Sequence, residues 1–187
     1  MESARCSTLQ EIETALWREL AACVRDKAHP WRTPVLATVD GDGDHTRAEA
    51  RTVVLRDADA GQRTLLLYTD TRAGKVPQLR AHPQGTLVMW SPALAWQLRC
   101  RVQLSAEDEG LAVSSRWATL RQSPGAQDYL SPLPPGSPLD MAPAPGAKRH
   151  HFAVVTARIV EIDWLELHAD GHRRASFSAQ GAHWLQP

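Results

Sequence analysis

The sequence predicts a mainly β fold, an antiparallel barrel with flanking helices. The segment WQLRCRVQL at 96–104 alternates strictly: Trp96, Leu98, Cys100, Val102 and Leu104 share one face, and Gln97, Arg99, Arg101 and Gln103 share the other. That is the period of a strand with one face in a core. Further strand-length apolar segments follow one another across turns short enough for hairpins. A single strong helical period precedes them all. Closing such a sheet on itself removes its exposed edges.

Residues 7–27 read as an amphipathic helix, with Leu9, Ile12, Leu16, Leu20 and Val24 at three- and four-residue steps. Thr8 followed by Glu11 has the spacing of a capping box. Arg25 and Lys27 suit the negative end of the helix dipole, and His29-Pro30 stops the helix. A strand is expected over 33–39, then a tight turn DGDGD at 40–44. The alternating aspartates are not a calcium loop, because His45 and Arg51 stand where such a loop needs Gly and Glu. Strands are expected over 46–56 and 63–69, a short helix over 72–82, and a strand over 85–91. A helix over 107–121 follows the alternating strand. Residues 123–147 are rich in proline and read as an irregular loop, which is mobile or lines a site at that length. Three strands over 152–162, 164–168 and 173–177, with turns at Asp163 and at 169–171, close the chain.

Length and charge narrow the function classes. The chain has 187 residues, which suits a single domain over 1–187. Lys+Arg and Asp+Glu are both 21, so the basic surplus of a nucleic-acid binder is missing. No apolar run is long enough to span a membrane, and the first residues show no secretory pattern. Cys6, Cys23 and Cys100 are odd in number and widely spaced, which suits a reduced, cytoplasmic protein. Cys100 alternates with core residues and reads as a packing residue rather than a nucleophile. The pairs His168/His172 and His150/His151 lack the further ligands that a metal needs, so no metal is expected.

The stretch 51–75, RTVVLRDADAGQRTLLLYTDTRAGK, organises the rest. It reads as strand, turn, strand and the start of a helix, with Arg51, Arg56, Arg72 and Lys75 near its ends and Tyr68-Thr69 between. Such a hairpin can hold a phosphorylated ligand, or it can be a hairpin with solvated charged ends. Arg51 and Arg56 are five apart, so in a regular strand they face opposite ways. An irregularity between them is therefore expected if both serve one ligand.

Several segments in order carry a resemblance: HPWRTPVLATVDGDG, RTVVLR at 51–56, YTDTRAGK at 68–75, the MW and WQLR stretches at 89–99, the ten-residue step from Trp164 to Arg174, and the final WLQP. The chain resembles the pyridoxamine 5'-phosphate oxidase-related family of FMN-binding split barrels, from about residue 12 to the end. The resemblance implies an antiparallel split β-barrel, FMN as cofactor, and a homodimer with the site at the subunit interface. It implies that Arg51, Thr52, Val53, Val54, Leu55 and Arg56 line the flavin and its phosphate. Tyr68, Thr69 and Lys75 would contact the cofactor, with Arg72 supplying the charge lost where Gly74 replaces an arginine. Gln97 would reach the ring, and Trp164 and Arg174 would complete the pocket. The residue types suit the chemistry. A phosphate favours Arg and Lys, and a neutral glutamine can bond the ring edge without fixing its charge.

The departures bear on function. The Tyr, Arg and Ser with which the oxidases read a substrate phosphate are not recognisable in LAVSSRWATLRQSPG at 111–125, and Asp170 stands where they carry an arginine. The resemblance thus implies an FMN-dependent oxidoreductase that oxidises an amine or alcohol of a small-molecule substrate, with Arg174 and His172 nearest that substrate. The alternatives are a flavin carrier or sensor without turnover, and a split barrel that takes haem or a deazaflavin.

Overall fold

The computed structural model describes residues 5–141 and 150–187. Its first element is helix α1, Leu9–Arg25. Thr8 accepts from the backbone N–H of Glu11 while the Glu11 carboxylate accepts from that of Thr8, the reciprocal capping box expected. Arg32 donates to the carbonyls of Cys23 and Val24 at the other end, satisfying acceptors the helix leaves open. His29-Pro30 does not itself end the helix, which stops at Asp26; the pair opens a 3-10 turn over Pro30–Arg32 that buries Trp31.

Among the described residues nine strands follow: β1 Val35–Asp40, β2 Arg47–Thr52, β3 Leu55–Asp59, β4 Thr64–Asp70, β5 Gln84–Ser91, β6 Trp96–Glu107, β7 Phe152–Glu166, β8 Arg173–Ser178 and β9 Gly181–Leu185. Two helices interrupt them, α2 Lys75–Ala81 and α3 Leu111–Leu120. The hydrogen-bonded order is β2-β1-β5-β6-β7-β4-β3, with β8 on β7 and β9 on β8. Every pairing is antiparallel. β2 and β3 stand at opposite ends of that order and are joined through Val53–Val54, so the barrel closes by covalent continuity rather than by a ladder.

Strand β7 is what splits the barrel. Its first half pairs with β4 and its second half with β8, while β6 accompanies both. A register shift leaves Val160 unpaired between Ile159 and Glu161. Such a bulge bends a strand and lets it serve two sheets. The expected turn at Asp163 is therefore absent: the residue lies inside β7, paired with Arg99 and Ser176. The acidic side chain suggested a turn, whereas two arginines hold it in the ladder. Strand β9, ending in WL, was not expected, and the tight turn at 40–44 is a longer connection with a 3-10 turn over Gly43–His45.

The expected strand over 46–56 is two strands. The ladder breaks at Val53–Val54 and is bulged again at Arg56, since Leu55 pairs with Leu67 and Asp57 with Leu66. The irregularity demanded by the five-residue spacing of Arg51 and Arg56 is thus present. The main core lies inside the barrel, where Ile12, Leu16, Leu20 and Cys23 of α1 meet Leu36, Leu55, Leu65, Leu67, Leu87 and Ile162. Full burial of each large aliphatic side chain stabilises by ~1.5–3 kcal/mol. A second cluster sits under α3, with Val113, Tyr129, Phe152 and Val154 at its centre. Of the proline-rich stretch, residues 124–129 form a 3-10 turn that buries Ala126 and Tyr129; residues 142–149 lie outside the described residues.

Candidate functional site

Strand β4 carries Tyr68 and Thr69 side by side, and alternation sends them to opposite faces. On the Thr69 side α2 brings Lys75 over the sheet, where its Nζ donates to Thr69 Oγ1 at 3.0 Å. Arg51 of β2 approaches the same place. Its Nη1 donates to Thr38 Oγ1, and its Nη2 to Gln78 Oε1 at 2.9 Å. Thr38 also donates to Gln78 Oε1 at 2.9 Å, so the two neutral side chains hold the guanidinium in one orientation. Burial lowers the pKa of Lys75, and the positive charge of Arg51 lowers it further, against an upward pull from Asp70. Two cations therefore converge where the protein's own anions do not fully offset them. Glu49 is 3.9 Å from Arg51 and partly exposed.

This arrangement fits a phosphate group on physical grounds. A dianion between Arg51 and Lys75 would remove their mutual repulsion and accept charge-assisted hydrogen bonds from both. Arg72 does not join them. Its fork lies on Asp70 at 2.7 and 3.0 Å, and it donates to the carbonyls of Ser131, Pro132 and Leu133. Its charge is matched by a buried carboxylate, and its work is to tie the proline-rich loop to the end of β4. Arg72, expected to replace the arginine missing at Gly74, is thus placed on Asp70 rather than beside Arg51 and Lys75.

On the Tyr68 side the bulged Arg56 lies over the Tyr68 ring, 5.4 Å from its centroid, with a buried Nε that has no partner. Helix α3 adds Arg116, Ser115 and Thr119, and with Tyr68 and Leu120 these line a cavity of about 430 Å³. Burial raises the pKa of Tyr68 and of Tyr129, leaving both phenols neutral donors. Arg56 was expected beside the flavin with Arg51; the two instead serve opposite sides of β4. Leu55 is fully buried in the core and Thr52 is exposed on β2, so the 52–55 segment offers a ligand chiefly its backbone at the Val53–Val54 break.

The remaining expected residues lie on and behind the outer face of β6–β8. Gln97 is on that face, paired with Trp90 and Leu165. Arg174 is on it too, but both ends of its fork are on Asp163, at 3.0 and 2.7 Å, and Arg99 binds the same carboxylate. Burial works against the Asp163 charge, yet hydrogen bonds from Arg174 and Arg99 hold its pKa low. Trp164 does not share that face. It is fully buried on the core side, edge-on to Trp96, with its indole N–H unpartnered. Its side chain points away from the outer face, which its neighbours Asp163 and Leu165 take. His172 is exposed in the β7–β8 connection, and no hydrogen bond or ion pair holds it among the described residues.

Thr38, Gln78, Arg116 and Tyr129 were not read from the sequence. Thr38 and Gln78 are forty residues apart and meet only through the fold. Arg116 had a legible signal, a cation on a helix otherwise rich in small and apolar residues. Cys100 is buried in the barrel core as expected, its thiol pushed up to about 12 by burial. Among the described residues there is no group of three metal-ligating side chains, and no helix is long and apolar enough to cross a membrane.

An antiparallel split barrel that brings Arg51 of β2 and Lys75 of α2 together beside Thr38, Thr69 and Gln78 is thus the frame of the site. Residues 14–106 match the model of the pyridoxamine 5'-phosphate oxidase FMN-binding domain, and the chain belongs to that family of FMN-binding split barrels. FMN, rather than haem or a deazaflavin, is the cofactor of the matched domain. A pyridoxine/pyridoxamine 5'-phosphate oxidase of Caulobacter vibrioides (strain NA1000 / CB15N) is 33% identical over 102 residues, 53% of this chain and 44% of that protein. The chain thus spans under half the length of that relative. A pyridoxamine 5'-phosphate oxidase-related, FMN-binding protein of Nostoc punctiforme PCC 73102 superposes with a TM-score of 0.71 at 23% identity, covering 93% of this chain and 96% of that one. PhzG from Burkholderia lata 383, in complex with tetrahydrophenazine-1-carboxylic acid, superposes at 0.68 with 16% identity, covering 93% and 91%. At these identities the two structures show the fold.

Proposed function

We propose that this protein is an FMN-dependent oxidoreductase that oxidises an amine or alcohol carbon of a small molecule, working as a homodimer. The observation that carries the reading is the convergence of Arg51 and Lys75 on one spot, oriented by Thr38, Gln78 and Thr69. In this reading Arg51 and Lys75 hold the FMN phosphate, Thr69 positions Lys75, and the Val53–Val54 break offers backbone to the ring. Gln97 donates to or accepts from the ring edge. Bound FMN would supply the two-electron chemistry. The protein's part is to orient the ring and to keep donors near the atoms that gain charge.

The outer sheet face supports the dimer. Val35, Trp90, Val160 and Leu185 are each at least 38% exposed there, beside an apolar groove of about 490 Å³ between β1, β5 and β6. Exposed apolar side chains beside such a groove support a partner surface. A second copy would also bring its Arg174 and His172 towards the flavin. The visible spectrum of the purified protein tests the reading: flavin bands that persist through gel filtration at dimer mass support it, and a colourless protein that does not take up added FMN overturns it.

A second reading, a flavin carrier or sensor without turnover, draws on Arg174. Its fork is already occupied by Asp163, and Asp170 adds an anion where the oxidases carry an arginine. Aerobic incubation of the FMN-loaded protein with pyridoxine 5'-phosphate and with simple amines separates the two, since the carrier produces neither peroxide nor aldehyde.

A further inference from the structure

Strand pairing sets the polar outer face of β6–β8 in rows. Gln97, Leu165 and Arg174 pair across the three strands, and Arg99 pairs with Asp163 in the next row. Paired residues of neighbouring strands point to one side, and so do residues two apart along a strand. Gln97 and Arg174 therefore share the face, two strands or about 10 Å apart, and Arg99 and Asp163 stand one step along, about 7 Å away. Arg101 and Glu161 fill the row after that and bond to one another at 3.0 Å.

Asp163 is the centre of this patch. It is only 5% exposed. Arg174 donates to it through Nε and Nη2, at 3.0 and 2.7 Å, and Arg99 reaches the same Oδ2 through its own Nη2. Burial opposes the charge, and the hydrogen bonds from Arg174 and Arg99 keep the carboxyl ionised. Two consequences follow for Arg174. Its plane is fixed, with Nη1 as the edge turned away from Asp163. Its charge is also shared: two guanidiniums on one carboxylate leave a single net positive charge, to which the Arg101–Glu161 pair adds none.

We propose that Asp163 is a positioning residue that fixes Arg174 beside the flavin ring and, together with Arg99, sets the net charge that the ring meets. The proposal rests on the FMN reading, in which Gln97 and Arg174 meet the ring. Two electrons and one proton taken up by the ring leave it with one negative charge, which a nearby cation favours and a nearby anion opposes. Asp163 holds the reduction potential down by offsetting Arg174, and Arg99 holds it up by offsetting Asp163. Asp163 and Arg99 touch one another, so a purely structural tie predicts the same outcome when either is lost. The charge role predicts opposite outcomes.

The test is the midpoint potential of the FMN-loaded protein at pH 8, read by absorbance during slow reduction in equilibrium with a reference dye. Asp163→Asn is expected to raise the ratio of reduced to oxidised flavin at a fixed potential at least threefold, ~14 mV upward for a two-electron couple. Arg99→Gln is expected to lower that ratio at least threefold. Arg101→Gln, one row further out and paired with Glu161, should move it less than either. Shifts of the same sign in Asp163→Asn and Arg99→Gln, or ratios within twofold of the wild type in both, overturn the proposal whatever the two variants do to stability. If Asp163→Asn does not fold, Arg99→Gln decides by sign, and an upward or absent shift overturns the proposal. A protein that takes up no FMN overturns the FMN reading and this inference with it, whereas a flavin-loaded protein with unmoved potentials overturns this inference alone.

Discussion

Two arginine-rich knots in this molecule are built on opposite principles. Around Glu166, every charge has a partner: Arg173 makes a two-pronged contact at 2.8 and 2.9 Å, Arg5 adds a third bond at 2.8 Å, and the Trp96 indole donates at 3.2 Å. Around Lys75 and Arg51, the hydrogen-bond partners are neutral side chains, Glu49 comes only within 3.9 Å of Arg51, and the two cations disfavour one another. The first knot ties the segment before α1 to the β7–β8 hairpin, since Arg173 also donates to Cys6 O and Arg5 to Gly171 O. In the second, Arg51 and Lys75 are held by Thr38, Gln78 and Thr69 rather than by a carboxylate at hydrogen-bond distance. A saturated cluster stabilises the fold, whereas the unsaturated one is where the proposed function puts the cofactor phosphate.

The comparison is broken most severely by Glu166→Ala. It leaves Arg5 and Arg173 unpaired against a nearly buried site, and removing one partner of such a pair costs about 3–5 kcal/mol. Denaturant unfolding should show the loss at constant slope. Glu166→Gln should also flatten the acid limb of the stability curve. Burial works against the Glu166 charge, but hydrogen bonds from Arg173, Arg5 and Trp96 hold its pKa down to about 2. A carboxylate depressed in the folded state contributes stability that is fully present above the unfolded glutamate pKa. That contribution is lost as pH falls through about 2. The wild-type protein should therefore lose stability below about pH 4 more steeply than the Gln variant.

At the other knot the signs reverse. Arg51→Ala and Lys75→Ala should each weaken FMN by about 1.5–3 kcal/mol, the worth of a charge-assisted hydrogen bond, read by flavin fluorescence titration. Lys75→Met should at the same time leave the flavin-free protein as stable or more stable, because it removes a partly buried charge held against Arg51. A clear loss of stability in flavin-free Lys75→Met would show that this knot too is structural. Asp163→Asn is intermediate. It leaves Arg99 and Arg174 without their shared carboxylate but on a half-exposed face, and should cost about 1–2 kcal/mol in thermal unfolding. His172→Ala, at an exposed position, should change stability by less than about 0.5 kcal/mol. If it lowers turnover without changing FMN content, His172 works on the substrate.

Much of the fold was legible because local and tertiary forces agree. The α1 period, its capping box and the alternation in β6 are each written within a few residues, and the core keeps the faces they announce. β7 was misread as two strands because its buried Asp163 looks like a turn signal when its arginine partners are unknown. β9 was missed because it is short and largely exposed, and its ladder to β8 rather than its own pattern defines it. In the site, Arg51, Thr69 and Lys75 were legible as a group. Arg72 and Trp164 were assigned by their place in the resemblance and then diverted, one to Asp70 and the other to the core.

What the amino-acid sequence determined by itself is the type of most elements, the barrel, and the presence of cations on the hairpin at 51–75. These depend on periodicity and residue chemistry, which a single chain segment carries. Which of those cations stay unmatched was decided only by the tertiary structure. A guanidinium beside Asp70 and one beside Thr38 and Gln78 are the same residue type in sequence. The fold alone, by placing a carboxylate against the first and neutral oxygens against the second, makes Arg72 a tie and Arg51 a candidate ligand-binding group.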